Sequence, residues 1–151
     1  MGTRSTYRVV ETHKNDTGKD KKENICLMYV QYDGYPSGHP LETAEWLSTG
    51  KVVNGIGLVE DTPIFNGAGC LAAQLVAKFK DGPGGAYMYP MNSRGDCGED
   101  YLYDIIVNFD TKEITYTCTE SGWGDHRNKK VFSGTPQEFI NWVKKTEEDG
   151  N

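Results

Sequence analysis

The sequence predicts an α+β fold, a single domain over residues 1–151 in which a mainly antiparallel sheet is packed by about three helices. Two observations carry this expectation. Two strand patterns open the chain before any helix, and a further run of strands follows the second helical stretch. Runs of neighbouring strands, rather than strict strand–helix alternation, point away from a parallel doubly wound sheet.

Taken in order, "TRSTYRVVET" (Thr3–Thr12) alternates polar, aromatic and β-branched residues as a strand does. A polar hairpin loop is expected within residues 10–24, chiefly the lysine-rich His13–Asn24. Ile25–Tyr32 is apolar on both faces and reads as an interior strand. Leu41, Ala44 and Leu47 have helical spacing, and Gly50 is in place to cap that helix. Residues 51–69 hold four glycines and form a long connection with at most a short strand. "CLAAQLVAKFK" then places Leu71, Leu75, Val76 and Phe79 on one stripe of a second helix, ended by "DGPGG".

Ala86–Tyr89 has strand character, and Tyr101, Tyr103, Ile105, Val107 and Phe109 alternate on one face of a stronger strand. "DTKE" turns it into "ITYTCTE" as an antiparallel hairpin. A short strand, "KKVFSG", precedes Thr135, Pro136 and Glu138, which together make a capping box opening the last helix. Residues 146–151 are expected to fray.

The net charge of −6, from 22 acidic and 16 basic residues, argues against a binder of the nucleic-acid backbone. A nucleic-acid mimic is disfavoured too, because lysines are interspersed with the acids. No apolar run approaches the roughly 20 residues of a membrane span, and no signal-peptide pattern opens the chain, so no membrane partner and a cytoplasmic location are expected. Four cysteines lack CxxC spacing and three histidines lack HxH or HxxxH spacing. No metal site and no cofactor are expected.

The densest polar signal is "YDGYPSGHP". Asp33, Tyr35, Ser37 and His39 alternate there with Gly34, Pro36, Gly38 and Pro40, a turn in which proline and glycine hold the polar groups with little further entropy loss. Two accounts stand level: the polar groups meet a ligand, or they cap their own backbone. A second stretch, "FNGAGCLAAQ", runs glycines into a helix start, where Asn66, Gly67, Gly69, Gln74 and the opening amides suit an anion. Cys70 sits at that start, and with His39 as base and Asp33 as orienter it would complete a nucleophilic arrangement if the three met in space. A small buried thiol is the simpler account. Tyr32, Tyr35, Tyr87 and Tyr89 offer stacking faces, and Arg4 and Arg94 offer forked hydrogen bonds to phosphate. Ordinary tyrosine packing and surface arginines are the competing account for each.

"MGTRS", "MYVQYDGYPSGHP" and "NGAGCLAAQLVAKFK" together resemble a family of small phage and prophage-associated proteins. The resemblance covers roughly residues 1 to 107, with "YDGYPSGH" its most specific part. It implies a phage-type origin, with the host cytoplasm as location, and transfers no catalytic motif. Accessory phage proteins are often anti-defence factors, so it also implies binding functions.

The reading is therefore a noncatalytic protein that sequesters a small anionic, nucleotide-like ligand, such as a cyclic oligonucleotide or a cyclic ADP-ribose derivative. Arg4, Ser5, Tyr32, Asp33, Tyr35, Ser37 and His39 would form one wall; Asn66, Gly67, Gly69 and Gln74, with Arg94, would serve its anionic part. One alternative is a hydrolase or transferase using Cys70 or His39. Another is an inhibitor of a host defence enzyme through aromatics around Trp123 or Tyr35. Assembly into a homo-oligomer is compatible with a ligand pocket between subunits.

Overall fold

A computed structural model describes residues 2–55, 63–122 and 127–149. The elements run β1 (Ser5–Lys14), β2 (Asp20–Val30), α1 (His39–Thr49), β3 (Lys51–Val53), β4 (Ile64–Asn66), α2 (Gly67–Phe79), β5 (Ala86–Tyr89), β6 (Tyr101–Asn108), β7 (Ile114–Glu120), β8 (Lys129–Gly134) and α3 (Pro136–Asp149). Six strands form one sheet in the order β5-β2-β1-β6-β7-β8, and β3 pairs with β4 in a separate parallel ribbon. Every neighbouring pair in the large sheet is antiparallel except β1 and β6, which lie parallel. The α+β class holds, and β2 is an interior strand, as its two apolar faces require.

Several boundaries differ from expectation. The polar loop shrinks to residues 15–19, because the Asn15 side chain accepts hydrogen bonds from the Thr17 and Lys19 amides while Gly18 turns the chain at φ +79°. Polar residues beyond it stay in register, Glu11 opposite Glu23 and His13 opposite Lys21, as two solvated strands. Tyr32 and Phe109 fall outside their strands. Gly50 does cap α1, yet its backbone is extended, and glycine is needed because a Cβ would collide with the Phe65 ring. α2 starts at Gly67 rather than Cys70, and α3 stays helical to Asp149, short of the expected fraying. The capping box forms as read: the Thr135 amide donates to Glu138 Oε1 at 2.8 Å and the Glu138 amide to Thr135 Oγ1 at 3.1 Å.

The side-chain period of two divides the sheet. One face presents Tyr7, Val9, Met28, Val30, Tyr103, Ile105, Val107, Tyr116 and Cys118 to the buried stripes of the helices. On the other face lie Thr6, Arg8 and Asp104, covered by the crossing from β5 to β6. Residues 90–100 make that crossing, which includes a single 3₁₀ turn at Met91–Ser93. Asp104, 7% exposed, is held by Arg8 Nε at 2.7 Å and by Arg94 Nη2 at 3.0 Å. Glu99, also buried, accepts from Thr6 Oγ1, the Gly95 amide and the Cys97 thiol, bonds that hold its carboxyl below the ordinary value against the effect of burial.

Strand register positions the site. Ser5 pairs with Val30 and with Tyr101, and Val30 pairs with Ala86. The start of β1, the end of β2 and the starts of β5 and β6 therefore meet at one end of the sheet.

Candidate functional site

Three tyrosines stand in a row across the helix-facing side of the sheet, Tyr7 on β1, Tyr103 on β6 and Tyr116 on β7. Their rings stack at centroid distances of 5.2 and 5.7 Å, and none is exposed. All three hydroxyls reach the turn between β2 and α1. Tyr103 donates to Gly34 O at 2.8 Å, Tyr116 donates to Pro40 O at 3.1 Å, and the Tyr7 oxygen lies 2.7 Å from His39 Nδ1. Burial raises the pKa of each phenol, so all three keep their protons.

The turn itself is folded so closely that glycine is required twice. A Cβ on Gly34 would stand 2.8 Å from Ser5 Cβ, and one on Gly38 would collide with the Asp33 carbonyl. That carbonyl accepts the His39 amide at 2.7 Å, and Asp33 holds a left-handed backbone at φ 57°. Gly34 N donates to Thr3 O at 3.0 Å, so "GTRS" lies directly against "YDGY". The turn thus caps itself through backbone hydrogen bonds rather than through its polar side chains, and the side chains of Asp33 and His39 line a cleft.

That cleft has a volume of about 320 Å3 and is walled by Tyr32, Asp33, His39 and Glu42 on one side, and by Lys78, Phe79 and Gly85 on the other. His39 packs on Phe79 at 4.4 Å between ring centroids. Thr43 Oγ1 donates to the His39 carbonyl at 3.0 Å and lies 3.4 Å from Nδ1. The tautomer in which the Tyr7 hydroxyl donates to Nδ1 carries the imidazole proton on Nε2. Burial pushes the His39 pKa down to about 4, with Asp33 opposing the shift. At neutral pH His39 is uncharged and a weak base, and in that tautomer it donates through Nε2–H.

A pH dependence of stability follows. Unfolded histidine titrates near 6.5, so between that value and about 4 the unfolded chain binds more protons than the folded one. Stability associated with His39 is complete above pH 6.5 and is lost as pH falls toward 4. In urea titrations, the wild type is expected to lose up to about 3 kcal/mol over this window relative to His39→Gln. Parallel curves for the two proteins would contradict the buried, neutral imidazole.

The remaining expected site residues are dispersed. Asn66, Gly67, Gly69, Cys70 and Gln74 lie at the opposite end of α2: Asn66 Oδ1 accepts from the Gly55 amide, and Gln74 Nε2 bonds Ile64 O and Cys70 Sγ. His39 meets α2 at Phe79, nine residues beyond Cys70, a rise of about 13 Å along the helix axis, so the Cys70, His39 and Asp33 arrangement does not assemble. Arg94 is bound to Asp104 on the far face of the sheet. Ser5 is fully buried beneath Gly34, and Ser37 is exposed outside the cleft. Tyr35 is exposed, its hydroxyl donating to Asp33 Oδ1 at 3.3 Å. Arg4 lies beyond Tyr32, on a neighbouring shelf. Trp123 and His126 lie outside the described residues.

Sequence reasoning missed Glu42, Lys78, Phe79 and Gly85, together with Tyr7 behind His39. The available signal was "DGPGG", read only as a helix breaker although its glycines carry the chain back to Gln31, whose amide donates to Gly85 O at 2.9 Å. A larger cleft of about 420 Å3, between Leu47–Val52, Lys112–Ile114 and Thr135–Gln137, has no comparable buried polar anchor. Among the described residues no three His, Cys, Asp or Glu side chains gather as a metal set, and no helix is long and apolar enough to cross a membrane. Comparison with protein-family models, with curated proteins and with solved structures finds no match.

Proposed function

We propose that the chain is a noncatalytic binding protein for a small nucleotide-derived ligand, held by its polar ring in the cleft between residues 33–42 and 78–86. The observation that carries this reading is the fixed pattern of donors and acceptors there. Nε2–H of His39 and the Lys78 ammonium donate, the carboxylates of Asp33 and Glu42 accept, and Tyr32 and Phe79 offer ring faces. A nucleobase has the matching mixture of carbonyl oxygens, amino groups and a flat face. The turn carrying this pattern is anchored by three buried phenols, which favours a preorganised site.

Binding without turnover is favoured because, among the described residues, no Ser, Thr or Cys side chain lines the cleft and the histidine that does is a weak base. For a phage-type protein, such binding would serve as an anti-defence sponge for a nucleotide immune signal. Calorimetry against cyclic di- and trinucleotides, ADP-ribose and cyclic ADP-ribose isomers tests the binding, and chromatography after heat denaturation tests the fate of the ligand. Recovery of intact ligand supports the sponge. A new product would favour a hydrolase or transferase, and no binding by any compound rejects the reading.

A further inference from the structure

On the opposite side of Tyr32 from the cleft lies a shelf of about 360 Å3, lined by Gly2, Arg4, Tyr29, Gln31 and Tyr32. Tyr32 is the common wall: its Cβ is 2.9 Å from where a Gly2 Cβ would be, and its hydroxyl is 3.2 Å from the corresponding point on Gly85. The ring is 54% exposed, so a ligand that starts in the cleft has a flat surface to cross.

The charges of the two compartments differ in sign. The cleft has Asp33 and Glu42 against Lys78 alone, a formal excess of one negative charge, and Lys78 lies on the exposed side of α2 with Nζ 5.7 Å above the Phe79 ring. Among the described residues, the lining of the shelf has Arg4 as its cation and no acid. Arg4 is also held in place. Its carbonyl accepts from the amides of Asp100 and Tyr101, and its amide donates to Asp100 Oδ2 at 2.9 Å. Its guanidinium lies against Gly98, 3.1 Å from where a Cβ would be, with Tyr29 in the same lining. The ion pairs among the described residues join Asp104 to Arg8 and Arg94, leaving the fork of Arg4 available. Asp100 is an acid whose charge acts on Arg4, and one of its oxygens is already engaged with the Arg4 backbone.

We infer that Arg4 forms a phosphate subsite, so that the ligand is an extended nucleotide with its base in the His39 cleft, its sugar over Tyr32 and its phosphate on the Arg4 shelf. This inference rests on the proposed function of the same cleft. A guanidinium–phosphate fork is the strong form of charge-assisted hydrogen bonding, and the planar fork of an arginine whose backbone is held loses less freedom per hydrogen bond than the lysine at the end of α2.

Calorimetry with adenosine and guanosine, their 5′-monophosphates and inorganic phosphate tests it on the full chain. In the wild type the monophosphate is expected to bind at least about tenfold more tightly than its nucleoside, the value of one good charge-assisted contact. In Arg4→Gln this ratio is expected to fall below about twofold, with Arg4→Lys intermediate. In Lys78→Gln the ratio persists. A ratio unchanged in Arg4→Gln, or abolished in Lys78→Gln instead, overturns the subsite. Nucleoside binding with no gain from phosphate removes the shelf but leaves the cleft reading standing. If neither nucleosides nor monophosphates bind, both readings fall.

Discussion

Asp104→Ala is expected to lower unfolding stability by about 3 kcal/mol, measured by urea denaturation, because it leaves Arg8 and Arg94 without their shared counter-ion. The two arginine side chains retain 18% and 21% exposure, which places the cost at the lower end of that for breaking a buried pair. Replacing all three charges together, as Arg8→Met, Asp104→Ala and Arg94→Met, is expected to recover most of the loss. The site should register the single variant as well. Arg94 ties residues 90–100 to the sheet, and the same segment presents Gly98 and Asp100 to Arg4. Equal stability of wild type and Asp104→Ala would mean that the pair contributes nothing to holding this crossing.

Phe139→Ala is expected to cost about 3–5 kcal/mol, the range for emptying a buried aromatic site. Phe139 is fully buried, and its ring packs edge-on against Tyr116 at 4.8 Å and Phe132 at 5.3 Å. It also approaches Tyr103 and Trp142, so its loss would open space beside two of the three phenols that anchor the turn. Ligand affinity should therefore fall with stability in this variant, although Phe139 does not line the cleft. A stability change below about 1 kcal/mol would contradict the packing described.

The sequence makes local features legible and long-range ones obscure, for a physical reason. The hairpin of β6 and β7 is readable because alternation and turn lie within one short stretch, and the capping box of α3 because Thr135 and Glu138 satisfy each other's amides. The parallel pairing of β1 with β6 has no local signature, since it depends on a crossing whose anchors, Asp104 and Glu99, find partners 93 to 96 residues away. Tyr7, Tyr103 and Tyr116 read as ordinary core residues, and only the fold aligns their hydroxyls beneath one turn.

The candidate site was half legible. Glycine and proline mark the turn at residues 33–40, and Asp33 and His39 do line a cleft. Its opposite wall was misplaced along α2, because a helical stripe shows which side is buried and not which end approaches the turn. The structure brings Lys78 and Phe79 there, and leaves Asn66 engaged with the Gly55 amide and Cys70 with Gln74 of α2. Arg4 could be named as a cation from its type, but its separation from His39 by Tyr32 follows only from the contact of Gly2 with Tyr32 and of Gly34 with Ser5.

The most direct test of the binding cleft is long-range proton–nitrogen NMR of protein labelled in its histidine side chains, titrated with a nucleotide found to bind by calorimetry. The expected result is an Nε2–H tautomer for His39 at pH 7, with a saturable shift of Nε2 on ligand addition and a smaller change at Nδ1, which stays bonded to Tyr7. Saturable binding that leaves both His39 nitrogens unmoved would contradict a site in this cleft.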